Sequence, residues 1–292
     1  MNAIPAAGRV SIVTVSYNSL KVLPNMLDSV PPGTKVIVVD NASDDTEALA
    51  DLCRTHGAQL ILNNRNLGFG VACNEGASEA KTEFLLFLNP DAMLMPDTLD
   101  RLVEAADRYP RASALNPRIA ESDGRPYFKR KSYLMPRCEW MPRGWPEADR
   151  EVTVLHGAAF FVRRSAFEAV GGFDPEIFLF HEDDDLARRL KAECGPLMFI
   201  REPLVQHGGG SSSARTAEIA ALKAWHMGHS RVYAARKHRQ RLARTRALTQ
   251  ATLQLISPLV VFSRRKRAKQ VALLSGVVHA CLGGASSKER LS

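Results

Sequence analysis

Short apolar, β-branched runs, each ended abruptly by polar residues and separated by stretches of helical period, constrain this chain most. Val10–Val15, Lys35–Asp40, Gln59–Asn63 and Glu83–Asn89 read as strands on that pattern. The alternation predicts an α/β fold, a Rossmann-like and mostly parallel central sheet flanked by helices. In such sheets ligands bind at the carboxyl ends of strands, where the strand order reverses. The residues directly after the strands are therefore the first candidates for chemistry: Ser16-Tyr17-Asn18, Asp40-Asn41-Ala42-Ser43, Asn63-Asn64-Arg65-Asn66 and Asn89-Pro90-Asp91. Each one alone would pass as a turn. Four in succession, carrying acids, amides and an arginine, are hard to explain as turn formers.

Further along, the segment from Asn116 to Arg150 is rich in Pro, Arg and aromatics and has no clear period, so it reads as a long mobile loop or a lid. An apolar run at Val152–Arg163, a turn at Gly171-Gly172, a charged helix at Glu182–Lys191 and two short strands at Leu197–Ile200 and Leu204–Gln206 follow, leading to His207 and the loop Gly208–Ser213. From Ala214 the pattern changes to arginine-studded helices. Residues 214–292 hold 16 basic and 2 acidic side chains, net +14, within a chain of net +8, so the first 213 residues are net −6. This sets a boundary between a body, 1–213, that does chemistry and a basic helical extension, 214–292, that meets an anionic surface. With 45% apolar residues the body folds. The five cysteines are scattered with no C-x-x-C pair, which points to a reducing compartment. No segment reaches the ~18–20 unbroken apolar residues of a spanning helix, and no signal-peptide pattern opens the chain, so a cytoplasmic location is expected.

Several constellations could carry chemistry. Asp91, after the strand Phe84–Leu88, could hold a divalent cation bridging two phosphates, or simply form an Asx turn or cap the helix that follows. Asp40 could accept from a nucleobase or a ribose, and Ser43 or Asp44 could cap the next helix and leave it free. Asn66-Leu67-Gly68-Phe69-Gly70-Val71-Ala72-Cys73 nearly matches the dinucleotide glycine fingerprint, but Cys73 replaces the third glycine and Asn89 stands where the acid would be, which argues against a Rossmann dehydrogenase. Gly68 and Gly70 then serve a sharp turn into a helix, and Arg65 is placed to meet a phosphate. In His181-Glu182-Asp183-Asp184-Asp185, four acids in a row resist joint ionisation, so at least one carboxyl should have a raised pKa suited to general-base work. Dipole stabilisation at a helix start, with Arg188 and Arg189 as partners, accounts for some of them. His207, at a strand end, could complete a metal site begun by Asp91.

Taken in order, Val10 to Asn18, Val38 to Asp44, Asn63 to Phe69, Asn89-Pro90-Asp91, Gly157 to Arg164, Gly171 to Asp174 and Phe178 to Leu186 resemble family 2 glycosyltransferases of GT-A fold, in the bacterial rhamnosyltransferase branch, over roughly residues 9–213. The resemblance implies that Thr14, Ser16, Tyr17, Asn18, Asp40, Asn41, Arg65, Asn66, Gly68 and Asn89 bind the nucleotide-sugar, with Asp40 accepting from the base. It implies that Asp91 takes the metal position of a D-x-D motif of which one acid remains, that His207 is the second ligand of Mg2+ or Mn2+, and that Asp183 is the catalytic base of an inverting transfer. Glu182 and Asp184 are placed at the acceptor.

The function so implied is transfer of a sugar, rhamnose from dTDP-rhamnose first, onto a lipid-linked or polysaccharide acceptor in cell-surface glycan synthesis. A UDP-hexose transferase of the same fold and a catalytically silent nucleotide-sugar-binding subunit are the alternatives. The basic clusters Arg231–Arg246 and Arg264–Lys269, beside short apolar stretches, read as interfacial helices on the anionic cytoplasmic leaflet of the inner membrane. A solvated appendage or an arm for homo-oligomer formation is the plainer reading. No helix-turn-helix, zinc or aromatic RNA motif accompanies the charge, so nucleic acid is not expected as a partner.

Overall fold

The computed structural model describes residues 5–208, 216–257, 260 and 262–284. Its elements, in chain order, are α1 (Ala6–Arg9), β1 (Val10–Ser16), α2 (Leu23–Asp28), β2 (Lys35–Asp40), α3 (Thr46–Thr55), β3 (Gln59–Leu62), α4 (Phe69–Ser78), β4 (Phe84–Leu88), β5 (Ala92–Leu94), α5 (Thr98–Arg108), β6 (Ala114–Glu121), β7 (Arg150–Val152), β8 (Ala159–Arg163), α6 (Arg164–Ala169), α7 (Glu182–Glu193), β9 (Leu197–His207), α8 (Ala217–Lys237), α9 (Ala243–Leu255) and α10 (Arg264–Cys281). The expected α/β architecture is present, and the four strands read first from the sequence form the run β3-β2-β1-β4 with parallel ladders throughout.

Beyond β4 the sheet is mixed. β8 runs antiparallel to β4 and β6, β6 pairs β9 in parallel, and β5 and β7 both lie antiparallel to β9. Leu197–Ile200 and Leu204–Gln206 are one strand, not two: the Arg201–Pro203 break in the apolar pattern coincides with a register shift against β6 between Asn116 and Arg118, and the strand continues through it. The segment expected as a loop from Asn116 starts inside β6 for the same reason, its Asn116-Pro117-Arg118 interrupting an otherwise buried strand. Its middle is tied down. Ser132, Leu134 and Met135 are buried, and the Arg188 guanidinium donates to the Leu134 carbonyl.

Two apolar cores fill the two faces of the sheet. One joins Val10, Ile12, Val36 and Val38 to α2, α3 and α5, and the other joins Val13, Val15, Ile37, Val39 and Phe87 to α4, α6 and α7. Helix α4 comes close to β1 and β2 through small residues: a Cβ at Gly76 would press on Val13 and Val39.

The extension does not stand off as an appendage. Phe178 stacks on His226 at 4.5 Å between ring centroids, Ser230 donates to the Leu179 carbonyl at 2.9 Å, and Tyr233 and Lys237 both bond Asp174. Helix α10 then crosses α8, with Leu273 and Val277 packed on Ala224 and Val232. The boundary expected at 213/214 falls on residues outside those described, as does the loop from Gly209 onward.

Candidate active site

A cleft of about 720 Å³ opens on the α4 and α7 side of the sheet, walled by the β1, β2 and β4 ends, by Tyr127 to Tyr133, by the His156–Ala158 turn, by the start of α7 and by one face of α8. Strand pleating decides which strand-end residues reach it. Val15, Tyr17 and Asn41 line the cleft, whereas Thr14, Ser16 and Asp40 lie on the opposite face of the same strands and are fully buried. Asp40 does not present its carboxylate to the cleft: it accepts from the Ser43 amide at 2.8 Å and the Ser43 hydroxyl at 2.5 Å. It is Asp45, not Ser43 or Asp44, that caps α3, through the Ala48 amide. Asn18 also stays outside the wall and clips the two loops together, accepting from the Asp44 amide.

Asn66, Gly68 and Asn89 line the cleft wall. Asn41 reaches across to donate to the Gly68 carbonyl at 3.1 Å, and Asn66 accepts from the Gly68 amide. Gly68 has φ 88°, and a side chain there would strike the Phe178 carbonyl and ring, so the turn requires glycine. Arg65 is exposed and is not part of the cleft wall. The cleft's cations come from elsewhere: Lys129, Lys131, Lys223 and Arg231.

Asp91 and His207 do meet. The β5–β9 ladder places Ala92 opposite His207, which brings Asp91 Oδ1 to 3.2 Å from His207 Nε2, with the Asn89 amide nitrogen 3.4 Å from the same Nε2. Tyr127 lies parallel to the His207 ring at 5.2 Å. Asp91 is thus a ladder-placed partner of His207 and not the cap of α5. The pair fits a divalent cation in its donor set: a carboxylate oxygen and an imidazole nitrogen, Nε2, converge at 3.2 Å. Among the described residues no group of three or more His, Cys, Asp or Glu could enclose a metal. A cation held by these two side chains would have to draw its other ligands from phosphate oxygens and water.

The four acids of α7 have four different surroundings. Glu182 is buried, and burial, with the Asp183 charge next to it, pushes its pKa up to about 8. Asp183 faces the cleft, its Oδ2 receiving Lys129 Nζ at 2.6 Å and the Gly157 amide at 3.1 Å. Asp184 bonds Lys129 and the His181 ring; burial works to raise its pKa, yet the Lys129 charge and the hydrogen bond to His181 hold it below the usual carboxylate range. Asp185 turns away to the extension. There Arg189, Lys237 and His238 offset its burial and bring it down to about 2. The expected raised carboxyl is therefore Glu182; Glu182, Asp183 and Asp184 all line the cleft, and Asp183 is the least buried of the three.

Phe180 and His181, directly before α7, both have φ 67°, a conformation that costs about 1–3 kcal/mol per non-glycine residue. Packing of Phe178 on His226 and the Ser230–Leu179 bond brace this turn, so α8 helps aim Asp183. Sequence reading missed Lys129, His156 and the α8 face. Lys129 lay in a segment without period. His156 stays neutral, its pKa lowered to about 3 by burial and by Lys129, and its Nδ1 accepts from the Ala158 amide.

Residues 11–171 match the family model for glycosyl transferase family 2. The chain is 30% identical to the N-acetylglucosaminyl-diphospho-decaprenol L-rhamnosyltransferase of Mycobacterium tuberculosis over 91% of this chain and 97% of that one. Among solved structures it is similar in fold to a Pyrobaculum calidifontis mannosyltransferase in complex with GDP-Man and Mn2+ (TM-score 0.59, 15% identity, covering 94% and 87% of the two chains). It is similar also to S. aureus TarS 1-349 (TM-score 0.56, 17% identity, 94% and 92%).

Proposed function

The chain belongs to glycosyltransferase family 2 and resembles its rhamnosyltransferases, and from that premise we propose that it moves L-rhamnose from dTDP-rhamnose, with inversion, onto N-acetylglucosamine carried on a prenyl diphosphate. The observation that carries this reading is the position of Asp183. It stands at the start of α7 on the wall of a cleft that Asn89 and Tyr127 also line, and these two touch the buried Asp91–His207 pair just behind the wall; Asn41, Asn66 and Gly68 lie between strands and helix to meet the nucleotide.

In the reaction the acceptor hydroxyl attacks the anomeric carbon as the bond from that carbon to the donor's phosphate oxygen breaks. Asp183 takes the hydroxyl proton. Lys129 and the Gly157 amide hold that carboxylate in place, and Glu182, protonated near neutral pH, adds no second negative charge beside it. Asp91 and His207 would hold Mg2+ or Mn2+, which when bound neutralises diphosphate charge. The extension, basic and carrying exposed apolar side chains, would rest on an anionic leaflet where a prenyl-linked acceptor resides; among the described residues no helix is long and apolar enough to cross a membrane.

The test is transfer by the purified chain from dTDP-rhamnose, with UDP-hexoses as competing donors. Asp183→Asn should lower kcat by roughly 10²–10⁴-fold while calorimetry still finds the donor bound. Turnover with a UDP-hexose alone would overturn the donor, a fully active Asp183→Asn would overturn the base, and donor binding without turnover by wild type, unchanged in Asp183→Asn, would favour a silent binding subunit.

A further inference from the structure

Helix α8 presents Lys223, Met227 and Arg231 to the cleft, one residue every fourth. Eight residues of helix put its two cations roughly 12 Å apart. Lys223 is at the donor end, within electrostatic reach of Asp91. Arg231 is at the other end, its guanidinium 5.0 Å from the centre of the Tyr133 ring, which Arg246 approaches to 5.5 Å from α9. Among the described residues Arg231 Nε and Nη1 are buried with no hydrogen-bond partner and no carboxylate forms an ion pair with the guanidinium.

A guanidinium buried without a counter-ion is costly to keep, and its planar fork matches phosphate oxygens two at a time. The donor's diphosphate has its own partners at the Asp91–His207 and Lys223 end. In the transfer complex two pyranose rings, the donor's and the acceptor's, separate the donor diphosphate from any diphosphate on the acceptor, a span comparable to the spacing of the two cations, with Asp183 on the wall of the same cleft. We propose that Arg231, over Tyr133, is the seat of the acceptor's diphosphate and that it makes the enzyme select acceptors carrying one. The inference rests on the lipid-diphosphate acceptor put forward above. The prenyl chain would leave the cleft beside the exposed apolar side chains of the extension.

Calorimetry with a short-chain prenyl-diphosphate-linked N-acetylglucosamine and with octyl N-acetylglucosaminide, which lacks the diphosphate, tests it. Wild type should prefer the diphosphate ligand by 30-fold or more, Arg231→Gln should reduce that preference to a few-fold, and Arg231→Lys should recover part of it. A thermal melt matching wild type separates this from misfolding. A preference kept in Arg231→Gln overturns the site alone. Weakened dTDP binding with acceptor preference intact overturns it too, giving Arg231 to the donor. If wild type binds neither acceptor ligand, the acceptor of the proposed function fails and the site falls with it.

Discussion

Four consecutive carboxylates read identically in the sequence and differ in the fold, because a helix start sends successive side chains about 100° apart. Glu182, Asp183 and Asp184 reach the cleft wall at different depths, Glu182 and Asp184 buried and Asp183 half-buried, while Asp185 goes to the extension. That one of them must hold a proton was legible from their crowding; which one depended on depth, and depth is not written in a run of like charges. The consequence can be measured. Glu182 titrates near 8 in the folded chain against an ordinary 4.5, so between those values the folded state retains a proton the unfolded state has lost. Stability contributed by that proton is full below pH 4.5 and is lost as pH rises toward 8. Glu182→Gln escapes the loss. Its melting temperature should exceed wild type's by an amount that widens from pH 5 to pH 8 by several degrees, at roughly 2–4 °C per kcal/mol for chains of this order. A gap independent of pH would place the Glu182 carboxyl in water.

At the scale of elements, apolar period made the first four strands and the α7 helix legible, whereas the pleat that sorts their ends was not. Val15 and Asn41 face the cleft while Ser16 and Asp40 do not, and a shift of one residue reverses such an assignment. The short β5 was likewise hidden, three residues recognisable only through their pairing with β9, and yet it is what sets Asp91 against His207. The extension shows the same dependence on partners. Its helices were expected from their composition, but their small residues gain meaning only at the crossing. A Cβ on Gly228 would collide with the Leu273 carbonyl oxygen of α10, and one on Gly276 with the Trp225 carbonyl oxygen of α8. The two backbones therefore touch, and α8 is held in line by α10. Gly228→Val should cost about 1–3 kcal/mol or more by overpacking, seen as a lower melting temperature. Because Lys223, Met227 and Arg231 ride on α8, acceptor affinity should fall with it, several-fold more than dTDP affinity. A variant with wild-type melting would mean that the helices separate freely.

Across the whole molecule, charge and apolar exposure share one location. Leu253, Ile256, Phe262, Val271, Val278 and Leu282 are all exposed, Phe262 at 88%, and they fall within one stretch that also exposes Arg264, Arg265, Lys266, Arg267 and Lys269. Among the described residues of the body the exposed large apolar side chains are Tyr17, Leu62, Met95 and Trp140, two of which line the cleft. Scattered apolar residues need no explanation, but apolar and basic groups gathered on a net +14 segment match an anionic bilayer surface, with side chains entering among the headgroups and charges meeting them. Such a surface would also hold the cleft near a prenyl-linked substrate without a spanning helix. Each basic residue near an anionic leaflet contributes about 1 kcal/mol, so removing three charges weakens binding by roughly 10²-fold. Full-length protein should therefore sediment with vesicles of phosphatidylglycerol and phosphatidylcholine and far less with phosphatidylcholine alone, and 0.5 M salt, about a 4 Å screening length, should release most of it. The triple change Arg264→Glu, Arg265→Glu, Lys266→Glu should abolish sedimentation at physiological salt, while Phe262→Ser should weaken the part that survives high salt. Equal binding to both vesicle types would assign the surface to apolar contact alone, and no binding to either would return it to a protein partner.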